Sequence, residues 1–327
     1  MPATVDELRQ RESSLGELSL DTRGNKTTLK RRLLNASKHH DNHSDDDDDD
    51  DQEPETLTKP PTESFDSFLV LDVEATCVDI KDSRLAFAYP NEIIEWPVVL
   101  LQWQKPQSPD GQWHLVKVDE YHSYVKPTWQ PQLDPFCTQL TGITQHQVDQ
   151  SPSFSTLLLN FERDFIQKHD LFSNQNKTCW VTDGPWDLES FVAKTLYMNE
   201  LTRPKWLGGD MIDLRILTAH YFGLEPSSQR RQDSTLLSSI PTHPPPQQGS
   251  RPRPPLNLSL SNVLEALDLG PFQGRLHSGI DDTRNASRIL VELQTRGMGL
   301  QPNRRISLSR ERRWDWMSTK GKVKWNR

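Results

Sequence analysis

The hydrophobic positions of this chain fall into two rhythms. Phe68-Leu69-Val70-Leu71 is an unbroken apolar run that ends in Asp72-Val73-Glu74. Its length and its Val and Leu content predict a strand over residues 68–74, with further strands over 98–104 and around 114–124. Strand side chains alternate faces, so Asp72 and Glu74 share one face and Leu71 and Val73 the other. Elsewhere the spacing turns helical, predicting helices over 153–168, 187–198, 211–222, 259–269 and 281–296.

The last of these helices is the most informative. Ala286, Ile289, Leu290 and Leu293 define a core-facing stripe, and Asp282, four residues before Ala286, falls on it. Asp281 shares its face with Asn285, Arg288 and Glu292, which predicts solvent. A buried aspartate is costly unless paired or metal-bound, so Asp282 is the functional candidate. Asp281 reads as a first-turn charge favoured by the helix dipole. Ser278 or Gly279 is the candidate cap, which leaves His277 on a loop just outside the helix. There its imidazole could act as a general base near neutral pH, or simply lie on the surface.

Two carboxylates side by side on a buried strand raise each other's pKa, and a cation between them removes the conflict. Hard oxygen ligands of this kind suit Mg²⁺ or Mn²⁺. Taken alone, Asp72-x-Glu74 is equally a strand ending in two solvated acids. A third acidic piece is Val181-Thr182-Asp183-Gly184-Pro185-Trp186-Asp187. Gly184-Pro185 marks a turn and Asp187 stands at or near the next helix start, where an ordinary capping aspartate would also stand. Spacing does not separate Asp183 from Asp187 as a ligand.

In this order, Asp72-x-Glu74, Trp186-Asp187 and His277-x-x-x-x-Asp282 resemble the DEDDh superfamily of 3′→5′ exonucleases. Within it the chain is similar to the enhanced-RNA-interference (Eri-type) exoribonucleases, which also process histone mRNA and ribosomal RNA 3′ ends. Longer strings carry the likeness: Asp72-Val73-Glu74-Ala75-Thr76-Cys77, Tyr89-Pro90-Asn91-Glu92-Ile93-Ile94-Glu95, Phe136-Cys137-Thr138-Gln139-Leu140-Thr141-Gly142-Ile143-Thr144, Thr182-Asp183-Gly184-Pro185-Trp186-Asp187, and His277-Ser278-Gly279-Ile280-Asp281-Asp282-Thr283-Arg284-Asn285. The resemblance implies an α/β, ribonuclease-H-like domain with a mixed central sheet flanked by helices. It implies that Asp72, Glu74, Asp187 and Asp282 hold two Mg²⁺ ions, with Mn²⁺ able to substitute, and that His277 is the base. Trp186 would stack on a terminal base (a core tryptophan being the plainer reading), and the small Ala75 and Thr76 would let the sugar–phosphate approach closely.

The activity so implied is 3′→5′ trimming of structured RNA, releasing nucleoside 5′-monophosphates. Small interfering RNA duplexes, histone mRNA stem-loops and ribosomal RNA ends are the family's substrates, with histone-mRNA or ribosomal ribonucleoproteins as partners. Two other readings stand beside it. One is a DNA exonuclease with the same chemistry, since no residue here reads the 2′-hydroxyl directly. The other is a non-catalytic RNA-binding regulator, against which the five site residues argue.

Composition then divides the chain. At 327 residues with 33% hydrophobic content, part of it is expected to lie outside a packed core. The formal charge of −8 is unusual for a protein that handles nucleic acid. Its source is local, because Asp41, Asp45 to Asp51, Glu53 and Glu55 account for ten acids, without which the charge is +2. Residues 39–64 therefore read as an acidic, disordered linker. Residues 1–38 resemble a SAP module at Leu8, Leu15-Gly16, Gly24, Lys26, Leu29, Arg32 and Leu33, with departures at Glu12 and Glu17. Lys26, Lys30 and Arg32 would form its phosphate-contacting edge.

An exonuclease domain is expected over 65–300, with a disordered Pro-rich insertion at about 226–257. The basic tail, 301–327, interleaves Trp314, Trp316 and Trp325 with cations, to hold RNA or to pack back on the domain. Neither a signal peptide nor a membrane-length apolar run stands out. Cys77, Cys137 and Cys179 read as free thiols of a reducing compartment. The expected location is thus cytoplasmic or nuclear, not secreted, with no membrane partner.

Overall fold

The computed structural model describes residues 59–60, 62–108, 111–224, 254–306 and 314–318. The SAP-like module with Lys26, Lys30 and Arg32, the acidic run, most of the Pro-rich insertion and Trp325 lie outside the described residues.

Seven strands form one mixed sheet: β1 (Ser67–Leu71), β2 (Glu74–Ala75), β3 (Ile93–Gln104), β4 (His114–Tyr124), β5 (Thr178–Thr182), β6 (Gly209–Asp213) and β7 (Arg304–Ile306). β1 is central, antiparallel to β3 and parallel to β5; β4 borders β3, while β6 and β7 extend the other side. Helices α1 (Ser83–Ala88), α2 (Pro135–Thr141), α3 (Gln145–Asp149), α4 (Phe154–Phe161), α5 (Val192–Met198), α6 (Leu214–Tyr221), α7 (Leu260–Ala266) and α8 (Gly279–Thr295) surround it.

Every residue of β1 is buried, because both faces of the sheet are covered. Alternation sorts the faces. Leu69, Leu71, Trp180 and Met211 pack on Leu157, Phe161, Val192 and Leu196 from α4 and α5. Phe68, Val70, Cys179, Val181 and Ile212 pack instead against α6, α7 and α8, through Leu217, Val263, Leu264, Ile289 and Leu290.

Several expectations change. The strand expected over 68–74 is two strands, interrupted at Asp72 and Val73. The helix expected over 211–222 begins only at Leu214, after Met211 and Ile212 have gone to opposite cores as part of β6. A strand buried on both faces reads as a continuous apolar run, which periodicity alone does not distinguish from a helix. Asp213 caps the helix that follows, accepting from the Arg215 and Ile216 amides.

The domain also exceeds its expected bounds. Glu63, assigned to the linker, accepts the Leu300 amide. Arg304–Ile306, assigned to the tail, is an edge strand, and Arg304 Nε donates to Asp213 Oδ2 at 2.9 Å. Of the two readings of the tail tryptophans, packing is the one seen for Trp314 and Trp316, which join Ala193, Met198 and Met317 in a small core. Trp316 Nε1 donates to the Ala88 carbonyl at 2.7 Å. The three cysteines are free. Among the described residues no helix is long and apolar enough to cross a membrane.

Candidate active site

The site lies where β1 and β5, parallel neighbours, both end. Leu71 stands beside Thr182, so the segments after these two strands leave the sheet together. Ligands of open α/β sheets bind at such strand ends. Leu71 opposes Val98 and Glu74 opposes Glu95, so the register runs unbroken through the interruption. It keeps Asp72 and Glu74 on the face of Phe68 and Val70, the face covered by α8. Val73, on the other face, belongs to the core with Leu69 and Leu71.

What interrupts the strand is Asp187. The Val73 amide donates to Asp187 Oδ1 at 3.0 Å instead of to a strand partner. Asp187 opens a π-helical turn, Asp187–Phe191, that leads into α5, and it is buried. Asp183 has a different place: its Oδ2 accepts from Arg215 Nη2 at 2.7 Å. Arg215 also lies over the Trp186 ring, 5.3 Å from its centroid, while that ring covers Gly184. Trp186 is half-buried at the site's edge rather than a core residue.

Asp282 enters from the first turn of α8, buried as its place on the apolar stripe predicts. Asn285, expected on the solvent face, is fully buried. Its side chain donates to the Gln273 and Asp281 carbonyls and accepts the Gln273 amide, strapping the preceding loop to the helix. Asp281 in turn accepts the Arg275 amide at 3.0 Å. Ser278 is the N-cap, but its side chain makes no capping bond.

His277 sits in the left-handed region at φ 59°, which a side-chain-bearing residue adopts only at a cost. Arg275 braces it: the guanidinium donates to the Leu276 and His277 carbonyls at 3.2 Å and to Gln139 O, near the end of α2, at 2.8 Å. Together His277, Arg275, Leu276, Phe136 and Phe272 line an open cleft of about 580 Å³. Ala75 and Thr76 are buried; the Thr76 hydroxyl accepts the Glu92 amide, and Asn91 Nδ2 donates to its carbonyl.

The electrostatics follow from this crowding. Burial, then Asp187, Asp282, Asp183 and Glu74, push Asp72 well above the usual carboxylate range. Burial, Asp282, Glu95 and Asp187 do the same to Glu74. Burial takes Asp187 to about 7 against the pull of the Val73 amide, and takes Asp282 to about 7 against the His277 and Ser278 amides. Burial and the Arg275 charge lower His277.

Among the described residues none of Asp72, Glu74, Asp187 and Asp282 forms an ion pair with Lys or Arg. Nor, among those residues, do three His, Cys, Asp or Glu side chains converge to chelating distance as they stand. Unneutralised like charges hold apart. The donor set nonetheless fits hard divalent cations, being all carboxylate oxygen.

Sequence reasoning missed Glu95. It is 1% exposed, and its carboxylate accepts the Gly279 and Ile280 amides at 3.0 and 3.2 Å, with His122 Nε2 2.8 Å away. The available signal was an acid inside the apolar run that forms β3.

Residues 69–223, which include Asp72, Glu74 and Asp187, match the family described as Exonuclease. The chain is 29% identical over 327 aligned residues to the 3′-5′ exonuclease eri1 of Schizosaccharomyces pombe, covering 93% of this chain and 91% of that one. Among solved structures it is similar to the nuclease domain of 3′hExo, a DEDDh family member bound to rAMP, with 28% identity and a TM-score of 0.55, over 74% of this chain and 98% of that one. A structure of a 3′-exonuclease recognising the 3′ end of a histone mRNA stem-loop aligns with 27% identity and a TM-score of 0.55, over 73% of this chain and 85% of that one. The DEDDh family is divalent-metal dependent. Residues 69–223 thus carry an exonuclease domain, and along nearly the whole of both chains this protein is similar to an Eri1-type 3′→5′ exonuclease, with the fold of a DEDDh nuclease domain beneath that likeness.

Proposed function

We propose that the protein is a 3′→5′ exoribonuclease that shortens structured RNA from its 3′ end and releases nucleoside 5′-monophosphates. One observation carries the reading: four buried or half-buried carboxylates from three separate segments, Asp72, Glu74, Asp187 and Asp282, stand close enough that Asp187 and Asp282 raise the pKa of both Asp72 and Glu74. None of the four has a Lys or Arg ion pair among the described residues. Such a charge imbalance suits bound cations. RNA as substrate rests on the solved relatives, one bound to rAMP and one that recognises a histone mRNA stem-loop.

Asp72, Glu74, Asp187 and Asp282 would hold two Mg²⁺ ions, or Mn²⁺ in their place. Bound there, the ions would lower the pKa of a water and stabilise the entering and leaving oxygens of an in-line displacement. His277 would be the base toward the attacking water. Its lowered pKa keeps the imidazole neutral near pH 7, the form able to accept. Trp186 offers a ring face that tolerates any terminal base. The buried, small Ala75 and Thr76 bound the floor beside the strand end. Lys26, Lys30 and Arg32 of the SAP-like module add phosphate contacts, and histone mRNA stem-loops, small interfering RNA duplexes and ribosomal RNA ends are the substrate types to try.

The test incubates 5′-labelled stem-loop RNA bearing a short 3′ overhang, and a matched DNA, with wild-type and Asp72→Asn protein, with and without EDTA. Metal-dependent shortening of RNA by the wild type alone is expected. Shortening by Asp72→Asn, or in EDTA, would sink the proposal. Equal or faster loss of DNA would move the substrate to DNA.

A further inference from the structure

The N-terminus of α8 is capped by a residue 184 positions upstream. Glu95 Oε2 accepts the Gly279 amide and Oε1 the Ile280 amide, while the N-cap residue Ser278 makes no side-chain capping bond. The first amides of a helix have no partner within it, so a carboxylate seated there gains both their hydrogen bonds and the helix dipole. Glu95 is itself held, with His122 Nε2 on Oε1 from β4 and the His122 ring edge-on to Tyr124 at 5.0 Å.

The same turn is seated tightly on the site. A Cβ on Gly279 would lie 2.7 Å from the Asp72 carbonyl oxygen and 3.0 Å from Glu95 Oε2. Backbone and carboxylate therefore leave room only for glycine. Gly279 stands two residues after His277 and three before Asp282. Fixing it fixes how both approach Asp72 and Glu74. Glu95 faces Glu74 across the strand pair and adds a like charge to both Glu74 and Asp282. Its like charge acts on two of the site's acids while its own oxygens are held by the helix amides and His122.

We propose that Glu95, held by His122, is a positioning residue for catalysis: it docks the start of α8 so that Asp282 and His277 meet the Asp72–Glu74 segment in working geometry. The inference rests on the exonuclease reading for its kinetic arm but not for its binding arm.

The experiment uses the full chain with Glu95→Gln, His122→Ala and the double variant. Glutamine keeps the shape but turns an amide NH₂ toward one of the helix amides, donor against donor. Mn²⁺ binding is followed by calorimetry without RNA, and kcat and KM are measured on the stem-loop RNA, beside circular dichroism and melting. Glu95→Gln is expected to retain the fold, with a melting temperature lowered by the one opposed pair of buried donors but well above the assay temperature. It should weaken Mn²⁺ binding and lower kcat by about 10- to 100-fold, as loss of a group that orients metal ligands does, with KM little changed. His122→Ala is expected to lose less in the same direction, and the double variant no more than Glu95→Gln alone.

Wild-type Mn²⁺ affinity and kcat in Glu95→Gln overturn the proposal, as does a kcat loss that only tracks unfolded protein. Should Glu95→Gln fail to fold, His122→Ala with wild-type kcat and Mn²⁺ affinity overturns it equally. If the wild type shortens no RNA, the exonuclease reading fails, while the Mn²⁺ comparison still decides the place of Glu95.

Discussion

The Val73 amide and the Asp187 carboxylate share a hydrogen bond of 3.0 Å, which joins the gap between β1 and β2 to the turn after β5. The bond spans 114 positions and fixes one acid against the backbone between two others. Asp187→Asn keeps an acceptor for Val73, whereas Asp187→Ala leaves a buried N–H unpaired. Both variants lose the charge, so their difference isolates the bond. Urea denaturation should find Asp187→Ala less stable than Asp187→Asn by about 1–3 kcal/mol, with turnover abolished in both. Equal stabilities would show that the bond contributes nothing to folding.

Stability without metal should fall as pH rises. Asp187 and Asp282 are at about 7 in the folded chain against ordinary values near 3.8, so the folded state binds more protons between those limits. A group with a raised folded pKa contributes stability that is complete below its unfolded pKa and is lost as pH passes the folded one. In EDTA the melting temperature should therefore decline from about pH 4 to about pH 7, and the raised Asp72 and Glu74 extend the decline beyond that. Asp282→Asn should flatten that decline, and added Mn²⁺ should raise the melting temperature most at the alkaline end. A steeper decline in Asp282→Asn than in the wild type would contradict the cause assigned.

Arg275 both braces the His277 backbone and lowers the pKa of its ring, burial being the larger cause. Arg275→Gln keeps donors but removes the charge. His277 should then titrate at higher pH, and the acidic limb of the kcat profile should move up with it. Scanning kcat across pH 5–9 decides the matter; an unmoved limb separates Arg275 from His277 protonation.

Gly184 is held at φ 99° with the Trp186 ring directly over it, and an added Cβ would come 2.2 Å from a ring carbon. Gly184→Ala should cost about 1–2 kcal/mol from the left-handed backbone alone. It should also displace Trp186 and raise KM for RNA. Wild-type KM in a folded Gly184→Ala protein would remove Trp186 from substrate binding.

Trp316 is 5% exposed, packed edge-on to Trp129 and Tyr197 and bonded to Ala88 O. Trp316→Ala should destabilise by about 3–5 kcal/mol, the range for emptying a buried tryptophan site. A loss well under that, measured by urea denaturation, would mean that the C-terminal segment detaches without involving the core.

Much of this was legible in the chain itself. Strand alternation put Asp72 and Glu74 on one face, and the stripe Ala286, Ile289, Leu290, Leu293 turned Asp282 inward; both are local periodicities. Buried Asn285 and the strand at Met211 and Ile212 were misread for the same reason, since a local pattern records polarity and spacing but not what covers the far side. Asp183 and Asp187 looked alike until folding gave one to Arg215 and the other to the Val73 amide. Glu95 under α8, and Trp314 and Trp316 against α5, depend on partners more than a hundred residues away. Sequence determined which side chains share a face, because backbone geometry makes that a matter of counting. Only the tertiary structure decided which buried charge meets which donor, because that pairing is set by how strands and helices stack.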